Sequence, residues 1–296
     1  MIPSFCASHG IALECNVPLS TLTTFRIGGA ADYVALPATT QQTAALISFL
    51  EKESIRYFVM GRGSDILASD AGFRGVILLT REMNSLSCDG NTIVAGAGCS
   101  MASVSNLALK HSLAGLEFLH GIPGSIGGGV FMNAGAYGSE MSAYLTSVEW
   151  VDGDGTIHVT PASELNFSYR HSYFTDHFGV VCSATFSCER GDADAIRAVM
   201  NDLDSRRRDK QPLEYPSAGS AFKRPEGHFA GKLIEDCGLK GYTFGNAAVS
   251  EKHAGFIINL GGATSADVHG VIDHVTETVR NAFGVTLEPE IRFLQE

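Results

Sequence analysis

Residues 120–138 read His-Gly-Ile-Pro-Gly-Ser-Ile-Gly-Gly-Gly-Val-Phe-Met-Asn-Ala-Gly-Ala-Tyr-Gly, seven glycines in nineteen positions. Glycine loses more backbone freedom on folding than any other residue, so ordering such a run is costly. The residues between the glycines are mostly apolar rather than Ser and Asp, which is not the make-up of a flexible linker. Backbone this bare is expected to lie directly against something flat or phosphorylated. A tight bend inside a packed sheet is the competing explanation.

A shorter run, Gly61-Arg62-Gly63-Ser64-Asp65, follows an apolar strand pattern at 57–60. Successive N–H groups at a strand exit can converge on a phosphate oxygen, although an ordinary tight turn explains the pentapeptide alone. A third run, Gly96-Ala97-Gly98-Cys99-Ser100-Met101-Ala102, stands between a strand pattern and a helix pattern, with Glu117 about twenty residues on, and imitates a dinucleotide fingerprint. A true fingerprint opens a parallel βαβ unit. The glycine-dense, loop-like segment 116–138 occupies the place of the second strand, so that reading is set aside.

Hydrophobic periodicity divides the chain into three segments. The first, 1–80, has strands at 32–36, 57–60 and 75–80 and a helix at 40–53 with Ala44, Leu46, Ile47 and Leu50 on one stripe. The second, 81–192, has strands at 92–97 and 180–188, a helix at 101–111, and a hairpin at 147–159 turned by Asp152-Gly153-Asp154-Gly155. The third, 193–296, opens with a helix at 193–208 whose Ile196, Val199, Met200 and Leu203 recur at helical spacing. It continues with a short helix near 231–237, a strand at 255–260, a helix at 265–283 stopped by Gly284, and a final strand at 287–293.

The chain has 296 residues and 45% hydrophobic content, enough for a large core. A formal net charge of -11 argues against a general nucleic-acid or anionic-membrane binder, since such affinity rests on clustered Lys and Arg. The one dense basic stretch, Arg206-Arg207-Arg208-Asp209-Lys210, suits either a small anionic ligand or a solvated helix end. The 7 cysteines are scattered without a C-x-x-C pair, which fits a reduced cytosol, and the 10 histidines show no H-x-x-x-H spacing. No metal is expected. The N-terminus lacks a basic, then apolar leader pattern and no run reaches the 18 or so apolar residues of a membrane span, so a cytoplasmic protein is expected.

The first two glycine runs, together with Thr24-Phe25-Arg26-Ile27-Gly28-Gly29-Ala30-Ala31, Tyr169-Arg170-His171-Ser172, the segment 216–225 (Pro-Ser-Ala-Gly-Ser-Ala-Phe-Lys-Arg-Pro) and Leu287-Glu288-Pro289-Glu290-Ile291-Arg292, resemble the UDP-N-acetylenolpyruvoylglucosamine reductase family over nearly the whole chain. The shorter, second type of these enzymes is the better match, because the long insertion of the other type is missing between Arg170 and Ser220. The resemblance implies an α+β fold: a two-subdomain FAD-binding module of the vanillyl-alcohol-oxidase (PCMH) type at 1–80 and 81–192, then an α/β substrate-binding domain at 193–296. It implies non-covalent FAD contacted by Gly61, Gly63, Ser64, Asp65, Gly124, Ser125, Gly128, Gly129, Asn133 and Gly135. The family's loop commonly carries Asn where this chain has Asp65, which adds a negative charge near the expected pyrophosphate.

The implied activity is NADPH-dependent reduction of UDP-N-acetylglucosamine enolpyruvate to UDP-N-acetylmuramate, a step of peptidoglycan and hence cell-wall synthesis that serves cell shape and division. Arg170 maps to the substrate carboxylate, Ser220 to the proton donor, and Glu290 to a protonated carboxyl beside the developing enolate. Alternation along 287–293 places Glu288, Glu290 and Arg292 on one face and Leu287, Ile291 and Phe293 on the other, so spacing alone does not choose between the carboxylates. Tyr169, Lys210 and Arg224 are the expected contacts to the nucleotide-sugar. A monomer acting on small molecules is expected. The competing readings are a flavin oxidase or dehydrogenase of alcohols on the same fold and a nucleotide-binding regulator without turnover.

Overall fold

The computed structural model describes residues 1–295, and the chain condenses into two compact units. The first comprises Met1–Cys15, Tyr33–Arg62 and Gly75–Arg206; the second comprises Asn16–Asp32, Gly63–Arg74 and the residues from Arg207 on. This grouping follows proximity in space, whereas the divisions at 80 and 192 follow order along the chain.

In the first unit Ile157–Pro161, Leu145–Val151, Val180–Ser187, Thr92–Gly96 and Leu86–Asp89 lie side by side in that order, each pair antiparallel. The hairpin forms at the expected Asp-Gly turn: Asp152 Oδ1 accepts from the N–H groups of Asp154 at 3.0 Å and Thr156 at 2.8 Å. A parallel pair, Tyr57–Met60 against Val76–Leu79, runs from Tyr57↔Val76 to Met60↔Leu79. The N-terminal residues, which patterning leaves without an element, form α1 (Ile2–Ser8), with Pro3 in its first turn and Ile2 and Cys6 buried. Helix α2 (Thr40–Lys52) starts at Thr39, whose hydroxyl accepts from Gln42 N, and buries Leu46, Ile47 and Leu50 against Ala35, Val76 and Leu78. Each such side chain contributes about 2 kcal/mol relative to exposure. Helix α3 (Met101–Lys110) is capped in the same way by Ser100.

Three further helices belong wholly or mainly to this unit: α4 (Ile126–Phe131), α5 (Tyr173–Asp176) and α6 (Ala193–Lys210). The expected stripe on α6 is narrower than drawn: Ile196 and Met200 are buried and Leu203 is half-buried in the core, but Val199 points outward.

In the second unit Ser217–Ser220, Phe256–Asn259, Ala247–Val249 and Thr243–Phe244 form an antiparallel sheet in that order. Helices α7 (Ala230–Asp236) and α8 (Ser265–Phe283) supply its core partners. Val268, Val271, Ile272, Val275 and Val279 recur every three or four residues along α8 and are all buried, as its pattern requires. Its start is fixed by a capping box in which Thr264 Oγ1 accepts from Asp267 N and Asp267 Oδ2 from Thr264 N, each at 3.0 Å. Its end is Gly284, at φ +70°.

The final strand is shorter than its alternation suggests. Only Arg292–Leu294 forms it, in parallel with Ile66–Ala68. Pro289 has no N–H to give to a ladder, and Leu294 rather than Phe293 is buried beyond Ile291.

Candidate active site

The glycine-dense run is not simply loop. Its centre winds into α4, with Ser125 as N-cap and Ser125 Oγ accepting from Gly128 N at 3.4 Å. Glycine is a poor helix former, so this helix depends on its surroundings: Ile126 N donates to Cys99 O and Gly127 N to Ala97 O, both at 2.9 Å. A Cβ on Gly127 would press on Ala97, and one on Gly129 on Met101 and Met141. Close packing therefore explains part of the run. It does not explain Gly128, which is exposed and whose added Cβ would meet only Ser125 Oγ, at 3.5 Å. Gly61, from the first glycine run, abuts the same cap; a Cβ there would collide with Ser125 Oγ. Bare backbone from Gly61 and Ser125–Gly128 thus meets at one place in the first unit.

Gly63, Ser64 and Asp65 fall in the second unit. Gly63 has φ +61°, a Cβ on it would strike Leu22 O, and its carbonyl accepts from Thr24 N at 3.1 Å. Thr24 Oγ1 in turn donates to Ser217 O at 2.7 Å, which gives the Thr-Phe-Arg-Ile motif a bracing role. Asp65 and Arg292 are neighbours: the Arg292 backbone N–H donates to the Asp65 backbone carbonyl at 2.9 Å, and the Asp65 charge acts on the Arg292 guanidinium. Arg292 keeps an exposed surface within a surrounding wall of protein; desolvation pushes its guanidinium below the ordinary value and Asp65 acts in the opposite sense.

Tyr169 and Arg170 occupy the centre of a tight turn closed by Ser168 and His171, which exchange N–H···O bonds of 3.1 and 3.2 Å. Arg170 sits at φ +54°, unusual for a residue with a long side chain. Three bonds tie the turn to the end of α4 and the segment after it: Arg170 Nη2 donates to Gly135 O at 3.2 Å, Asn133 Nδ2 to Ser168 O at 3.0 Å, and Ser172 Oγ to Phe131 O at 2.7 Å. Tyr169 is half exposed, with the Arg170 guanidinium 5.0 Å from its ring centre.

In the second unit Ser220 ends its strand opposite Phe256, after Gly219 at φ +77°. The chain then runs between two neighbours: Ala221 N donates to Gly255 O at 2.8 Å, while Glu290 N donates to Ala221 O and Lys223 N to Glu288 O, both at 2.9 Å. Ser220 and Glu290, seventy positions apart in sequence, are thereby brought onto adjacent stretches of backbone. Lys210 ends α6 and its charge reaches His253, a residue that sequence reasoning passed over. Burial pushes His253 below the usual imidazole range, and Lys240 and Lys210 act the same way against the opposing influence of Glu235. Arg224 lies 4.0 Å over the Phe229 ring and donates through Nε to His228 O at 3.3 Å. Among the described residues no cluster of three or more His, Cys, Asp or Glu is placed to hold a metal, and no helix is long and apolar enough to cross a membrane.

Comparison with known proteins places this geometry. Residues 31–161 match the FAD binding domain family, and residues 211–294 match the family of UDP-N-acetylenolpyruvoylglucosamine reductase C-terminal domains. The chain is 46% identical over 284 residues to the UDP-N-acetylenolpyruvoylglucosamine reductase of Caldanaerobacter subterraneus subsp. tengcongensis, covering 96% of this chain and 94% of that protein. Against the Clostridium beijerinckii reductase the identity is 47% over 284 residues, 96% of this chain and 93% of the relative. The crystal structure of UDP-N-acetylenolpyruvylglucosamine reductase (MurB) from Thermus caldophilus superposes with a TM-score of 0.83 at 34% identity, covering 96% of this chain and 99% of that one.

A glycine-lined FAD-binding module joined to a reductase C-terminal domain defines an FAD-dependent oxidoreductase. The expected α+β fold class stands. Within that class the chain belongs to the UDP-N-acetylenolpyruvoylglucosamine reductase family. FAD fits what the residues offer: exposed, side-chain-free backbone at Gly128, beside the hydroxyl of a helix-capping serine.

Proposed function

We propose that this protein reduces UDP-N-acetylglucosamine enolpyruvate to UDP-N-acetylmuramate with NADPH as electron source, in the synthesis of peptidoglycan precursors. The observation that carries the reading is the pairing of Glu288–Glu290 with Ala221–Lys223, which brings the stretch that holds Glu290 alongside the residues that follow Ser220, in a chain that shares 46% identity with such a reductase over 96% of its length.

When bound, FAD would supply the hydride for one carbon of the enol ether, with NADPH as its source. The rest falls to the protein. Arg170 holds the substrate carboxylate through a planar guanidinium suited to two parallel hydrogen bonds, and its hold strengthens as negative charge builds on the carboxylate side. Glu290, kept protonated, donates a hydrogen bond to that enolate-like charge, which requires a carboxyl held above its ordinary range. Ser220 delivers the proton to the carbon next to the carboxylate. A serine hydroxyl is a poor acid, so it acts only when fixed within hydrogen-bond reach of that carbon.

Gly61, Gly63, Ser64 and Asp65 from the first run and Gly124, Ser125, Gly128, Gly129 and Gly135 from the second are assigned to the flavin. Tyr169, Lys210 and Arg224 are assigned to the nucleotide-sugar, Lys210 as a point charge for the diphosphate. Residues 1–80 and 81–192 are read as the flavin-binding subdomains and 193–296 as the substrate domain. The protein is read as a cytoplasmic monomer without nucleic-acid or membrane partners, which light scattering checks.

The decisive experiment separates the half-reactions. Ser220→Ala should still be reduced by NADPH at close to the parent rate, yet be reoxidised by the enolpyruvyl nucleotide-sugar at least about a hundredfold more slowly. A protein purified without flavin, or a Ser220→Ala variant with normal turnover, would sink the assignment.

A further inference from the structure

Asn133 was expected at the flavin, and its side-chain amide is hydrogen-bonded within the protein. It is fully buried, at 0% exposure, and both ends of its amide are used by the protein. Nδ2 donates to Ser168 O at 3.0 Å, and Oδ1 accepts from Ser142 N at 3.0 Å. Ser168 is the first residue of the turn whose centre holds Arg170. Asn133 has φ +43°, in the left-handed region that asparagine tolerates better than other residues with a Cβ.

We infer that Asn133 is a positioning residue for Arg170: it locks the Ser168–His171 turn to the end of α4, so that the arginine is aimed at the substrate carboxylate by the same stretch of chain that carries the flavin-binding glycines. The inference rests on the reading of Arg170 as the carboxylate clamp. The Arg170 backbone, at φ +54°, is not a conformation its own residue type favours, so the turn must be imposed from outside. Ser172 Oγ on Phe131 O and Arg170 Nη2 on Gly135 O provide flanking ties, but only the Asn133 bond grips the residue that closes the turn on its N-terminal side. Without Asn133 the Ser168 carbonyl keeps only the His171 N–H inside the turn, and the turn loses its tie to the residue that follows α4. A displacement of about 1 Å at a clamp of this kind costs on the order of a hundredfold in rate.

Two variants test this. Asn133→Gly keeps the left-handed backbone and removes both side-chain bonds. Asn133→Asp keeps size and shape but turns the donor facing Ser168 O into an acceptor, and serves if the glycine variant folds poorly. FAD dissociation constants, the rate of flavin reduction by NADPH and the rate of reoxidation by the enolpyruvyl nucleotide-sugar are measured separately. The expected result is FAD affinity and NADPH reduction within about threefold of the parent, with reoxidation slowed about 10- to 100-fold. Combined with Arg170→Ala, the Asn133 substitution should add little further slowing, because it acts through the arginine.

Weakened FAD binding with equal slowing of both half-reactions would make Asn133 a flavin contact and overturn the proposal. So would unchanged reoxidation, or full additivity with Arg170→Ala. If Arg170→Ala itself leaves reoxidation intact, it is the clamp assignment that fails, and the two failures are told apart by that single variant.

Discussion

Gly61 and Asp65 show how differently two members of one loop can matter. A side chain at Gly61 has nowhere to go but into Ser125 Oγ, the cap of α4. Gly61→Val is therefore expected to disturb that cap and to weaken FAD binding at least about tenfold, read by flavin fluorescence on titration of the apoprotein. Asp65 has a different standing, since Arg292 answers its charge. Asp65→Asn should leave FAD affinity within a few-fold, whereas Arg292→Gln, which removes the positive charge beside Asp65, should weaken it about tenfold. Tighter binding in Arg292→Gln would contradict this account. Ser125 and Gly61 were marked by the glycine runs around them and by the resemblance those runs carry, not by a legible helix start. The bond from Asn133 to Ser168 spans 35 positions, and nothing near either residue announces it.

Elements were legible in proportion to how far their own residues determine them. Helix α8 has an unbroken apolar stripe, a capping box and a terminal glycine, and its limits follow from sequence to the residue. Helix α4 has three consecutive glycines and exists because Cys99 and Ala97 accept its first N–H groups, so no local propensity could reveal it. The final strand failed in the opposite direction: residues 288–290 pair with 221–223, Pro289 opposite Phe222, and only Arg292–Leu294 joins Ile66–Ala68. Asp267→Ala should test the capping box of α8, at a cost of about 1 kcal/mol near neutral pH. The Asp267 carboxyl is held below its ordinary range chiefly by the backbone N–H of Thr264, then by that of Asn246. A depressed carboxyl stabilises the folded state above its unfolded value, about 3.9, and the benefit disappears as pH falls through the lower folded value. The melting difference between parent and variant should accordingly be constant from pH 8 to about pH 5 and shrink below about pH 4. A difference that persists unchanged at pH 3 would assign the effect to packing.

For the whole molecule, FAD binds only the folded form, so its removal lowers stability by mass action. At free FAD a hundred times its dissociation constant the gain is about 2.7 kcal/mol, and the holoprotein should melt several degrees above the apoprotein, with a midpoint that rises with FAD concentration. A concentration-independent midpoint would mean that the glycine runs do not form the ligand site. The long helices and central strands were readable from residue types and their spacing, and the family and cofactor from the resemblance that the motifs carry, because both are properties of neighbours in the chain. Which segments condense together was not: residues 16–32 and 63–74 join a unit whose bulk comes from the last third of the polypeptide. This interleaving has a consequence for biosynthesis. Ile66–Ala68 leaves the ribosome long before its partner Arg292–Leu294. Until that partner is made an apolar strand edge stands unpaired, and closure of so long a loop is slow. The nascent protein is thus exposed to aggregation over that whole interval, and chaperone demand should fall abruptly once Arg292–Leu294 is released.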